Sequence, residues 1–272
     1  VDAVYAAPGD FSGPALALGT VFFAVQIYCD FAGYTHMAVG AAQVFGVRVP
    51  ENFRQPYLAR NTVEFWRRWH ISLSTWFRDY CYIPLGGNRV LPGRWVANIF
   101  GVFLLSGLWH GAAWTFVVWG MIHAGYLIAG RFTAGVRGKA AARCGLDHWP
   151  RLHHLLRIGV TFLLVCLAWV FFRAPDLTAA VTLLRGLPFG WVEALAGEWW
   201  RGLPQMLHTT ALEAIFAAFL ALFVIGADLL QARESFQARL ARQPWWLRGL
   251  AYSALLWSIF LFGTLRHSEF YY

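Results

Sequence analysis

The stretch Trp95–Ile128, WVANIFGVFLLSGLWHGAAWTFVVWGMIHAGYLI, decides the fold. A transmembrane helix needs about 20 mostly apolar residues. This run is too long for one comfortable helix and barely long enough for two. Ser106-Gly107 and Gly111 interrupt it, with His110 between them. The arginines on either side say what the run must do. Arg48–Arg94 carries eight Arg and Arg131–Arg157 six Lys/Arg, and Arg233–Arg248 adds four more. Ala174–His208 has only Arg185 and Arg201 against Asp176, Glu193 and Glu198. The positive-inside bias puts the three basic segments in the cytoplasm and the last one outside. Both flanks of Trp95–Ile128 are then cytoplasmic, so the run must enter the bilayer and return. A broken hairpin, or two short tilted helices, turning near His110 satisfies this. Irregular backbone at membrane depth survives only beside protein or a wet cavity. Charge parity therefore predicts His110 inside the bilayer, lining a cavity.

The rest of the chain agrees with an all-α polytopic membrane protein. Of its 272 residues 58% are hydrophobic and 18% aromatic, and only 13% are charged; a soluble domain carries about 25% charge. Further spans are expected at about Pro14–Tyr28 (extending past Asp30), Leu155–Phe172, Thr209–Leu230 and Trp246–Leu265. The net charge of +8 rests on arginine, Lys139 being the one lysine. Placed between apolar spans, these arginines serve orientation and anionic headgroups, and no nucleic-acid motif accompanies them. Cys29, Cys81, Cys144 and Cys166 show neither CxxC nor Cys/His ligand spacing, so no disulfide framework or metal site is expected. Gly130–His154 reads as a basic loop, and its His148, His153 and His154 as solvated residues rather than ligands. The opening VDAVYAAPGDF has no signal-peptide pattern and reads as the middle of a longer protein, so the chain is expected to be a fragment.

Residues Asn61–Tyr82 predict an amphipathic helix. Asn61 followed by Glu64 forms a capping-box pair. Trp66, Trp69, His70, Leu73, Trp76, Phe77 and Tyr80 recur at helical steps, with Arg67, Arg68, Ser74, Arg78 and Asp79 away from that face. Pro84 and Gly86-Gly87-Asn88 end it. His70 on the aromatic face is open to two readings, a satisfied core histidine or a functional one. A basic amphipathic helix lying along the membrane is a third reading of the whole segment.

Ionisable residues inside membranes are rare and usually functional. Here they are Asp30, His36, His110 and His123. Burial favours the uncharged imidazole that a general base must be. Small neighbours Ser106, Gly107, Gly111 and Ala112 leave room beside His110 for a substrate or another helix. From the residues alone, catalytic and structural readings of His110 both stand. With no GxSxG, P-loop, GxGxxG or paired carboxylates, the chemistry that fits best is direct acyl transfer, in which a base removes a hydroxyl proton. A transporter with the same broken hairpin is the non-enzymatic alternative.

Three blocks, YCDFAGYTHMAVGAAQVFGVRVPENFRQPYL (Tyr28–Leu58), EFWRRWHISLSTWFRDYCYIPLGGNR (Glu64–Arg89) and NIFGVFLLSGLWHGAAWTFVVWGMIHA (Asn98–Ala124), together resemble the membrane-bound O-acyltransferases of the bacterial alginate O-acetylation type. These are related to the teichoic-acid D-alanyl transfer proteins. AWVFFRAPDLTAA (Ala168–Ala180) and SEFYY (Ser268–Tyr272) look like later segments of the same family. The resemblance implies transmembrane helices around a central funnel and His110, in GLWHGA, as the catalytic histidine. His70, in WRRWHIS, would be the second characteristic histidine. Asp30, Arg78, Asp79, Asn88, Ser106 and Trp109 are candidate supporting residues. The implied substrates are acetyl-CoA or another acyl donor and an exported polysaccharide. Periplasmic acetyltransferase partners, membrane lipid and a bacterial inner-membrane location complete the expectation, with no bound cofactor or metal. The family pattern commonly reads DFSGYxDMA, and here His36 replaces its second acid. Family members also carry further transmembrane helices before this region.

Overall fold

A computed structural model describes residues 1–195, 211–231 and 236–262. Every regular element among them is helical. In order these are α1 (Asp2–Ala6), α2 (Gly13–Val44), α3 (Thr62–Trp66), α4 (Ile71–Phe77), α5 (Pro92–His110), α6 (Trp114–Phe132), α7 (Ala134–Arg143), α8 (Pro150–Arg173), α9 (Leu177–Gly186), α10 (Trp191–Leu195), α11 (Ala211–Gln231), α12 (Phe236–Ala241) and α13 (Trp245–Phe262). Contacts divide the chain into two units, Val1–Phe216 and Ala217–Tyr272.

Two described helices, α2 and α8, are long and apolar enough to cross a membrane by length and composition. At 32 residues α2 takes in the expected extension past Asp30 and runs on to Val44, reaching about 48 Å at helical rise. Asp30 and His36 lower the local hydropathy without interrupting the backbone ladder, which is why the apolar run ends before the helix does. Helix α8 contains the expected Leu155–Phe172. Helices α11 and α13 occupy the other two expected spans, although Thr209, Thr210 and 263–265 lie outside the described residues. Gly130–His154 is not a loop. It holds the end of α6, all of α7, a 3-10 turn at Leu146–His148 and the start of α8. The Ala-rich stretch around Lys139 has high helix propensity that outweighs its charge.

Trp95–Ile128 is not one helix but turns just after His110. Helix α5 stops at His110 and α6 starts at Trp114, and they run antiparallel: Trp95 at the start of α5 meets Phe132 and Arg131 at the end of α6. A Cβ on Gly107 would strike the Phe116 carbonyl oxygen, and one on Gly120 the Phe103 carbonyl oxygen. The two backbones are therefore in direct contact, as small residues permit between apolar helices. At the turn Gly111 has φ 155°, and a Cβ there would lie 2.8 Å from the Phe116 ring.

The first unit is held by an aromatic core. Trp119 of α6 stacks on Trp169 of α8 at 6.0 Å, and Phe23 of α2 meets Trp169 edge-on at 6.4 Å. Tyr57, in the 3-10 turn Pro56–Leu58, donates to the Ala24 carbonyl at 2.6 Å and packs on Phe162 and Trp69. Tyr82, at the end of a π-helical turn Arg78–Tyr82, accepts from Trp95 Nε1 at 2.8 Å, and Asn98 Nδ2 donates to the Leu85 carbonyl at 2.9 Å. These bonds tie the turn before α5 to its first two turns. In the second unit the described side chains are largely exposed and apolar, among them Phe219, Phe223, Trp257 and Phe260.

Gly120→Ala should destabilise the protein by about 1–3 kcal/mol, because the added methyl overpacks against backbone. Gly101→Ala, which meets nothing within 4 Å, should be neutral or stabilising. Thermal unfolding in detergent compares the two.

Candidate functional site

Asn61–Tyr82 does not form the single helix that its periodicity predicts. The N-terminus is as expected: Asn61 Oδ1 accepts from Glu64 N at 2.8 Å and caps α3. The Glu64 carboxylate, however, takes the Arg60 backbone N–H at 3.0 Å rather than that of Asn61, and pairs with the Arg60 and Arg68 side chains. Helix α3 then ends at Trp66, and α4 does not begin until Ile71. Between them His70 adopts the left-handed conformation, φ 44° and ψ 55°. Non-local backbone bonds hold the break open, Arg54 N to Arg68 O at 2.9 Å and Ile71 N to Asn52 O at 3.0 Å. Left-handed non-glycine residues are uncommon and persist where their surroundings over-determine them. Here a loop 14 to 19 positions upstream pins the chain, and periodicity carries no signal for that.

The break turns the His70 ring toward α2 and α5. It meets Phe31 edge-on at 4.7 Å and Trp109 at 6.1 Å. His110, the last residue of α5, is half-buried, its ring 4.9 Å from Trp109. Phe116 and Trp119 of α6 and Phe172 of α8 close around it at 6.1, 5.0 and 5.1 Å. The Trp109 ring thus borders both histidines. Nδ1 of His110 is buried without a hydrogen-bond partner among the described residues. Ser106, one turn back on α5, is buried.

His123 is built differently. It is fully buried, and its Nδ1 accepts from Trp66 Nε1 at 3.3 Å while its ring stacks on Phe65 at 6.1 Å; its Nε2, like Nδ1 of His110, has no partner among the described residues. This is a core histidine, locked between α3 and α6. Asp30 and His36 lie on the exposed surface of α2, although Phe31, next to Asp30, touches His70. Arg78 and Asp79 pair with each other at 2.7 Å on the exposed π-helical turn. Asn88 Oδ1 accepts from Tyr82 OH at 2.7 Å, in the network that anchors α5. The structure therefore brings His70, His110, Trp109 and Ser106 to one end of the α5–α6 hairpin, and places Arg78, Asp79 and Asn88 elsewhere. Sequence reasoning missed Asn52, whose side chain faces His70, and Phe172, which walls His110. A loop amide and one phenylalanine among many carried no distinguishing signal. A groove lined by Gln43, Gly46, Val47, Arg48 and Val49 contains neither histidine. No group of three or more His, Cys, Asp or Glu converges among the described residues.

Residues 4–172 match MBOAT, the membrane-bound O-acyltransferase family, and this match includes both histidines. The chain belongs to that family. It is 45% identical over 163 residues to the probable alginate O-acetylase of Pseudomonas aeruginosa, covering 60% of this chain and 29% of that protein. To the peptidoglycan O-acetyltransferase of Helicobacter pylori it is 42% identical over 170 residues, 61% of this chain and 30% of that protein. The teichoic acid D-alanyltransferase of Bacillus subtilis is 34% identical over 157 residues, 55% of this chain and 39% of that protein. The matched part of this membrane-bound O-acyltransferase homologue thus spans about a third of such relatives.

Glu64 fastens the helix that leads into His70, and its protonation reports on that fastening. Burial opposes its ionisation, but hydrogen bonds from Arg60 and the charges of Arg60 and Arg68 prevail and bring it down from 4.5 to about 2. A carboxyl with a lowered folded-state pKa stabilises fully above its unfolded value and loses that contribution as pH falls. The wild type should therefore lose stability relative to Glu64→Gln as pH drops from about 4.5 toward 2. Unfolding midpoints of both proteins across that window give the check.

Proposed function

We propose that this chain carries the catalytic histidine of a multi-pass O-acetyltransferase in a bacterial inner membrane. In this reading α5 and α6 form a broken hairpin whose tip reaches into the bilayer at the foot of a funnel. An acetyl group passes there from a cytoplasmic donor, acetyl-CoA or a protein-carried thioester, toward an exported polysaccharide or a periplasmic partner acetyltransferase. The single observation that carries the reading is the setting of His110. It sits at a helix terminus, half-buried, with a ring nitrogen unpartnered among the described residues and a second histidine across one shared tryptophan. Buried polar atoms are nearly always hydrogen-bonded, so an unpartnered one calls for an explanation, and a catalytic role is one.

The chemistry is general-base acyl transfer. His110 takes the proton from the acceptor hydroxyl as its oxygen attacks the thioester carbonyl. The tetrahedral intermediate collapses, the C–S bond breaks, and the departing thiolate recovers a proton. A positioned base of this kind contributes about 10²–10⁴-fold. Trp109, Trp119, Phe116 and Phe172 keep bulk water from the donor, and the basic loops favour anionic headgroups on one side. Transfer of D-alanyl to teichoic acid is the second reading, supported by the Bacillus subtilis relative; the higher identity to O-acetylases favours acetyl.

His110→Ala should abolish O-acetylation of the exported polymer, below about one hundredth of wild type, with expression and membrane insertion unchanged. Acetyl content of the polymer by mass analysis, beside immunoblots of membranes, decides. Retained acetylation removes His110 as the base.

A further inference from the structure

The side chain of Asn52 lies where an imidazole can be given a fixed tautomer. Its Oδ1 is 3.0 Å from Ser72 N, 2.8 Å from Ser72 Oγ and 3.3 Å from His70 Nδ1. Amide oxygen and nitrogen are interchangeable in shape, so the orientation must come from the partners. Ser72 N is a backbone N–H and can only donate. The Asn52 atom facing it is therefore the carbonyl oxygen, and an oxygen in that position can only accept. His70 Nδ1, facing the same oxygen, must then be the protonated nitrogen. A neutral imidazole carries one ring proton, so Nε2 keeps its lone pair.

We infer that Asn52 is a positioning residue that fixes His70 as the Nδ1–H tautomer and so presents Nε2 as a hydrogen-bond acceptor for a hydroxyl-bearing substrate. The backbone supports the same geometry. Ile71 N donates to the Asn52 carbonyl at 3.0 Å, so Asn52 grips the two residues that follow His70 with main chain and side chain together. The left-handed turn at His70 puts its ring edge-on to Phe31, beside the Trp109 that also borders His110. A hydroxyl donating to Nε2 of His70 would be oriented while His110 accepts its proton in attack. His110 has no comparable partner at Nδ1, so of the two histidines only His70 has its tautomer set by the described protein. What His70 then does rests on the acyl-transfer reading; where its proton sits does not.

Two readouts separate those levels. In the full-length protein labelled with ¹⁵N-histidine, the His70 ring signals, assigned by their loss in His70→Gln, should show a protonated Nδ1 and a bare Nε2. Asn52→Leu keeps the volume and removes the acceptor, so its His70 proton should move to Nε2. Asn52→Asp keeps an oxygen there and should keep Nδ1 protonated. With acetyl-CoA and an alginate oligosaccharide as probes, kcat should fall about 10–100-fold in Asn52→Leu, as for loss of an orienting partner, and recover at least partly in Asn52→Asp. A proton on Nε2 in the wild type overturns the inference, and so does an Asn52→Leu protein with unchanged tautomer, whatever its rate. Wild-type protein with Nδ1–H but no acyl transfer to any acceptor would leave Asn52's part standing and defeat the proposed function instead. Should Asn52→Leu fail to fold, the wild-type spectrum still decides.

Discussion

Two helix backbones touch at Gly107 and Gly120, and the rest of the site depends on that contact. Only glycine lets the Phe103 and Phe116 carbonyls come so near the facing helix. Close approach of this kind replaces the hydrophobic driving force that apolar surroundings cannot supply between helices. With α5 and α6 clamped there, the three-residue turn after His110 has no freedom to move the imidazole away. Phe116 fills the space against Gly111, and Trp119, next to Gly120, meets the His110 ring edge-on at 5.0 Å. Helix α8 completes the wall by stacking Trp169 on Trp119 and bringing Phe172 to His110. The hairpin thus holds the His110 imidazole within an aromatic frame, its buried Nδ1 unpartnered among the described residues.

The three histidines around this frame show how differently one side chain can be used. His123 spends its Nδ1 on Trp66 and its faces on Phe65 and Phe103, which makes it cement between α3 and α6. His70 is oriented by Asn52 and forced outward by a left-handed backbone turn. His110 is positioned by the helices that carry it and by ring packing, while its buried nitrogen is bonded to nothing in the described protein. Position in the fold assigns these roles, since the residue type is the same in each.

The turn between α5 and α6 was legible because Ser106-Gly107 and Gly111 interrupt the apolar run, and it falls at Gly111–Ala113. The resemblance carried by the His70 and His110 motifs agrees with the family match over residues 4–172. What stayed hidden depends on distant contacts. A helical period across Asn61–Tyr82 cannot report that Asn52 and Arg54 reach over to break it at His70. The apolar run of α2 ends early because Asp30 and His36 are polar, although neither stops a helix. Asn52 itself sits among polar loop residues and shows its significance only through the atoms that face it.

General-base transfer at His110 requires its imidazole to be reachable by an acyl donor. Site-resolved modification of histidines by diethyl pyrocarbonate, mapped by mass spectrometry with and without acetyl-CoA, tests it most directly. A reachable His110 is modified in the ligand-free protein and protected by acetyl-CoA, while buried His123 stays unmodified in both. A His110 that resists the reagent throughout, or reacts equally with and without donor, would contradict it.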